Sequence, residues 1–144
     1  MRFYKITTTH TQDYINNIIR KMSSTETEYI SNLYSQIPMV EYTDDEDFEC
    51  MFVILDEYLL SKLQNLYIRY YIKFEIHDLT KDIILDKRFN INFENCYRRS
   101  VQLEIASLIK DFKKNWISKD DILDKILEKG IESLTDFDLD ILNS

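Results

Sequence analysis

The stretch DFECMFVILDEYLLSKLQNLYIRY, residues 47–70, decides the fold, because its apolar residues fit two periods at once. Phe48, Phe52, Leu55, Leu59, Leu63, Leu66 and Tyr70 recur at steps of four or three, which is one face of a helix. Thr43 with Glu46 has capping-box form, the hydroxyl meeting the third helical N–H and the carboxylate reaching back to the cap. One helix over about 44–67 is therefore expected. The competing reading is a strand at 48–55 followed by a shorter helix, since MFVIL suits either.

Downstream the period changes. In IRYYIKFEIH, residues 68–77, Ile68, Tyr70, Ile72, Phe74 and Ile76 alternate with Arg69, Tyr71, Lys73, Glu75 and His77, which predicts a half-buried strand. DLTKD then reads as a turn and IILDKRF, residues 83–89, as a returning strand. Upstream, RFYKITTT (2–9) reads as a strand, and Tyr14, Ile15, Ile18, Ile19 and Met22 share a helical face. Thr25 with Glu28 is expected to cap a second helix carrying Tyr29, Leu33 and Ile37, closed by Pro38, the sole proline.

Val101, Ile105, Leu108, Phe112 and Trp116 mark a long amphipathic helix from about 94 to 117. Ser118 with Asp121 caps the next, whose apolar stripe is read as Ile122, Leu123, Ile126 and Leu127. Gly130, the only glycine, ends it in a left-handed conformation, and Thr135 with Asp138 starts a last turn carrying Leu139 and Leu142. The fold class expected is α+β: a helix-rich single domain with a small antiparallel or mixed sheet and a C-terminal helical hairpin. Residues 1–117 form the α+β core and 118–144 an exposed hairpin appendage.

Composition excludes several chemistries. One glycine leaves no phosphate-cradling GxxxxGK[ST] or GxGxxG loop. At 144 residues and 44% hydrophobic, with ten Tyr and eight Phe, the chain can build a core. Cys50 and Cys96 stand apart from any metal-ligand spacing and suit a reducing compartment. MRFYKITTTH lacks a signal-like apolar run, and no apolar stretch is long enough to span a bilayer. A cytoplasmic location is expected, or host cytoplasm or virion if phage-encoded. A net charge of −8 disfavours direct nucleic-acid binding and favours neutral or basic protein partners. No membrane association and no cofactor are expected.

Four constellations carry candidate chemistry. Eight carboxylates fall between residues 41 and 57 with no Lys or Arg, and Asp44, Asp45, Glu46, Asp47 and Glu49 form an acidic patch. That patch suits a cation or phosphate mimicry, though acids in a first helical turn also simply meet the helix dipole. Arg98, Arg99, Lys110, Lys113 and Lys114 make the late helix locally basic, either a docking face or a solvated one. His77-Asp78 resembles the HD pair of metal-dependent phosphohydrolases but lacks its further ligands; only His10 supplies another imidazole, and a Cys–His nucleophile pair has no surrounding motif. Tyr71 with Arg69 and Lys73 offers one outward ring as a stacking or interface anchor, while Tyr67, Tyr70 and Phe74 read as core.

The last 25 residues, DDILDKILEKGIESLTDFDLDILNS, resemble a short C-terminal module of Bacteroidota proteins, including the soluble tails of some rhomboid-like membrane proteases, of the form ILDKI..KG..SLT..E...L. The resemblance implies a Bacteroidota bacterium or its phage as source and brings no catalytic residue. Phe137 makes the final turn more apolar than that pattern. The functional expectation is a non-enzymatic interaction protein or structural subunit of an oligomer or larger assembly, such as a phage particle or bacterial complex. Its expected partner contacts are Arg98, Arg99, Lys110, Lys113, Phe137, Leu139 and Leu142. An acidic inhibitor or immunity protein blocking a basic nucleic-acid-binding partner is the alternative, and a metal-dependent hydrolase using His77 and Asp78 the third.

Overall fold

The computed structural model describes residues 1–43, 48–87 and 99–144. Its elements are β1 (Arg2–Thr11), α1 (Gln12–Lys21), α2 (Ser24–Ser35), β2 (Met39–Thr43), β3 (Phe48–Leu55), α3 (Glu57–Arg69), β4 (Phe74–Asp78), α4 (Thr80–Ile84), α5 (Arg99–Trp116), α6 (Lys119–Lys129) and α7 (Asp136–Asn143). A 3-10 turn, Ile131–Ser133, joins α6 to α7. The chain is thus a helix-rich α+β protein with an antiparallel sheet, as its periodicities imply.

Strands lie in the order β2-β3-β1-β4 and every neighbour is antiparallel. Two antiparallel steps make β1 parallel to β2 with β3 between them, and β3 parallel to β4 with β1 between them. This is a split β-α-β-β-α-β topology of ferredoxin-like type, with α1 and α2 on the first crossover and α3 on the second.

Both faces of the sheet are covered, which explains the ambiguous stretch. Met51, Val53 and Leu55 join Tyr4 and Ile6 in one core with Leu33 of α2 and Leu59, Leu63, Leu66 and Tyr67 of α3. Phe52 and Ile54 join Phe3 and Val40 in a second core with Ile83, Ile105, Leu108, Phe112, Ile117 and Ile122. A strand buried on both sides loses its polar alternation, so 48–55 shows the apolar density of a helix. The expected helix over 44–67 is corrected accordingly: β3 occupies 48–55 and α3 begins after Asp56, whose carboxylate accepts from Leu59 N–H at 2.7 Å. Its expected capping residue Thr43 closes β2, while Glu46 lies outside the described residues.

Three further boundaries move. α3 runs on to Arg69, so Ile68 is exposed; of the expected 68–77 strand only residues 74–77 pair with β1, and the pairing continues to Asp78. Tyr71 takes a left-handed φ of 55° at the turn between them. The expected strand 83–89 begins inside α4: Asp78 accepts from Thr80 N–H and the Thr80 hydroxyl accepts from Phe3 N–H, both at 2.9 Å, turning the chain so that Ile83 enters the second core. α2 is capped two residues earlier than expected, by a Ser23–Glu26 box.

Residues 118–144 pack on the second core: Ile122 is fully buried there, and Leu134, Ile141 and Leu142 lie against it. Both expected capping boxes, Ser118–Asp121 and Thr135–Asp138, are present. Gly130 has φ 82° with an extended ψ of 163°, not the left-handed helical value, a region essentially closed to other residues.

Candidate functional site

An apolar groove of about 220 Å³ opens between α1, α2 and α3 on the first face of the sheet. Ile15, Ile18 and Ile19 of α1, with Met22 just past its end, form one wall; Ile30, Leu66, Tyr70 and Ile72 contribute the other. α1 gathers its apolar residues on one face, yet none of its described side chains is fully buried, so it lies over the groove as a partial cover. Opposite it, Glu26 ties the ends of α2 and α3 together, accepting from the Tyr70 hydroxyl at 2.9 Å and from Arg69 at 3.5 Å.

The polar groups of this groove converge at one end. The hydroxyls of Tyr34 and Tyr67 are 3.2 Å apart, and Tyr67 donates onward to Met51 Sδ at 3.9 Å. Glu49 lines the same space. Burial pushes Tyr34 up to about 12 and Tyr67 well above the ordinary phenol value, so both hydroxyls stay neutral and act as hydrogen-bonding groups. Glu49 is pushed up by burial and then by the charge of Glu41, and Glu41 is raised by burial although the residue as a whole is exposed. Among the described residues no cation pairs with either carboxylate. Two partly desolvated carboxylates of like charge resist ionising together, and a cation placed between them would reverse that penalty.

The expected partner residues fall elsewhere and are not brought together. Arg99 and Lys110 are exposed on α5, whereas Lys113 is bound within the fold to Asp86. Leu139 is exposed on α7, Phe137 is half-buried and Leu142 packs against the second core. Arg98, Asp44, Asp45, Glu46, Asp47 and Cys96 lie outside the described residues; Glu49 alone of the acidic patch is placed, and it faces the groove.

The HD pair is separated by the strand that carries it. Asp78 is held by Arg2 at 2.7 Å and by Thr80, while exposed His77 has Glu75 for its neighbour at 3.7 Å. His10 stacks on Tyr14 with ring centroids 4.1 Å apart, and buried Cys50 meets the Thr7 hydroxyl instead of an imidazole. Among the described residues, no three His, Cys, Asp or Glu side chains stand close enough to hold a metal ion, and no helix is long and apolar enough to cross a membrane. The second sheet face, where an open four-stranded sheet can stack nucleobases, is here occupied by α5 and its neighbours.

One cluster is assembled only by the tertiary fold. Lys125, with 1% of its side chain exposed, bonds Asp138 at 2.7 Å and also Asp86, which in turn binds Lys113; Lys129 reaches the Leu85 carbonyl. This network fastens the turn after α4, where Asp86 has φ 50°, to α5, α6 and α7. The one available signal was spacing: Lys125 follows Ile122 by three residues, so the two share the inward side of α6.

Comparison with protein-family models, with curated proteins and with solved structures finds nothing that matches this chain.

Proposed function

We propose that the chain is a non-enzymatic interaction subunit of a larger assembly, and that the groove beneath α1 receives a partner's segment bearing apolar side chains and one Lys or Arg. The observation that carries this reading is Glu49, a half-buried carboxylate lining an otherwise apolar groove, which no cation pairs among the described residues and which the charge of Glu41 raises further. Apolar walls supply burial, about 25 cal/mol per Å², and the carboxylates select the charge. The neutral phenols favour recognition over proton transfer, because a general acid or base works best with a pKa near the operating pH.

A direct test titrates a synthetic peptide of alternating Leu and Lys into the isotopically labelled protein and maps the NMR shifts. Perturbation should centre on Ile18, Tyr34, Tyr67 and Glu49, weaken in Glu49→Gln, and vanish when Glu replaces Lys in the peptide. Shifts confined to other surfaces would sink the assignment. The inhibitor reading draws on the same carboxylates together with the four acids at 44–47. It requires strongly salt-dependent binding to a basic partner, since exposed charges are screened beyond about 10 Å at 0.1 M salt.

A further inference from the structure

α6 is turned over relative to its sequence pattern. Of the expected apolar stripe only Ile122 is buried; Leu123 is half exposed, Leu127 is 83% exposed, and Ile131 just beyond the helix is 67% exposed, while Lys125 takes an inward position. Leu123 and Leu127, four residues apart on α6, thus form an outward apolar ridge, and exposed Ile131 follows in the turn past Gly130. Asp120 and Asp124, both exposed, run along one side of it, and exposed Lys119 stands one turn before Leu123, so the ridge's surroundings are net acidic by one charge.

α5 presents the converse. Its outward line runs through Arg99, Leu103, Ala106, Lys110 and Lys114, all exposed, with Leu103 at 63% set among three cations. Among the described residues none of Arg99, Lys110 and Lys114 is in an ion pair. Each chain therefore carries an acidic apolar ridge on one helix and a basic face with an apolar centre on the preceding helix. We propose that the occupant of the α6 ridge is a second copy of this chain, docked through the basic face of its α5. Opposite charges would steer and register the contact while Leu123, Leu127, Ile131 and Leu103 lose their water. Such a contact joins two different patches, and closes as a two-fold pair if each copy gives its ridge to the other. This surface does not include the groove, so it stands or falls independently of the groove's role.

Sedimentation velocity across a concentration series, with circular dichroism to confirm folding, tests it. Wild type should associate. Leu127→Glu, which alters an exposed side chain, should be monomeric, and the pair Lys110→Glu/Lys114→Glu should weaken association by about tenfold or more. The pair Asp120→Lys/Asp124→Lys should do the same. Mixing the two charge-reversed proteins should restore association, because both contacts between unlike copies are then complementary and both between like copies repel. Glu49→Gln should leave self-association unchanged. Wild type that stays monomeric at every soluble concentration, or a mixture that stays monomeric, overturns the proposal.

Discussion

Removing the Asp138 carboxylate tests the buried network most sharply. Its Oδ2 accepts from Lys125 at 2.7 Å and from the Thr135 N–H and hydroxyl, each at 2.8 Å. Asp138→Ala deletes the half of the α7 capping box that reaches back to Thr135, up to about 1 kcal/mol, while the Thr135 hydroxyl still accepts from the N–H of residue 138. It also leaves the Lys125 ammonium nearly without solvent and with only Asp86 for a partner. Breaking a buried pair outright costs about 3–5 kcal/mol, and the surviving Asp86 contact reduces that to about 2–3 kcal/mol. Together these give a loss of about 2–4 kcal/mol, or a Tm lower by roughly 6–15 °C for a chain of this size. Urea unfolding followed by the fluorescence of Trp116, which packs beside Phe112 against the second core, reads the change directly. Lys125→Met/Asp138→Leu, which strands no ammonium, should be less destabilised than the two single changes summed, by about 1–3 kcal/mol. A cost under about 1 kcal/mol for Asp138→Ala, or coupling within the 0.5 kcal/mol or so expected of independent sites, would refute the reasoning.

Other outcomes follow from the same contacts. Burial alone would raise the carboxyls of Asp86 and Asp138, but hydrogen bonds from Lys113 and Lys125 to the first, and from Lys125 and Thr135 to the second, outweigh it and hold both below the usual range. Each contributes stability present above the unfolded value near 3.9 and lost as pH falls through the lower folded value; acid titration of wild type against Asp138→Asn should show that loss shrink in the variant. Glu41 and Glu49 work the other way, since a raised folded pKa makes the folded state bind more protons. Stability should therefore rise as pH falls from neutral through their raised values, and Glu49→Gln should flatten that rise and stabilise the protein at pH 7; an unchanged slope would exclude Glu49 as a source of it. Gly130→Ala meets no steric obstacle, since an added Cβ would find only Glu132 Oε2 at 3.7 Å. Its positive φ with extended ψ should still cost about 1–3 kcal/mol, measurable as a lower urea midpoint at unchanged slope, and a neutral result would mean the turn relaxes.

The parts of this fold that were legible in the sequence are those set by local rules. Two of the capping boxes, the closure of α2 before Pro38, the glycine stop of α6 and the inward–outward alternation of Phe74 to His77 all stand where spacing placed them. What failed was decided by neighbours distant in sequence. β3 loses its alternation because α5, more than 40 residues later in the sequence, covers the face that would otherwise be wet. The candidate groove depends on Glu49 facing Tyr34 and Tyr67 across two crossovers, and a glutamate beside a run of aspartates looks like one more solvated acid. α6 gives the clearest case. Its hydrophobic pattern favours Leu123 and Leu127 as core, yet Lys125 turns inward because Asp86 and Asp138, 39 and 13 residues away, wait there as partners. Each inward bond of that lysine turns the leucines toward solvent, so the structural network and the exposed apolar ridge are two sides of one choice. Replacing Lys125 with Met would remove its two ion pairs without changing the ridge residues, and α6, left with its packing, the Lys129 bond to the Leu85 carbonyl and the Lys81–Glu128 pair, would then be freer to rotate its leucines inward. Loss of self-association in Lys125→Met, with α6 still helical, would be the mark of that rotation.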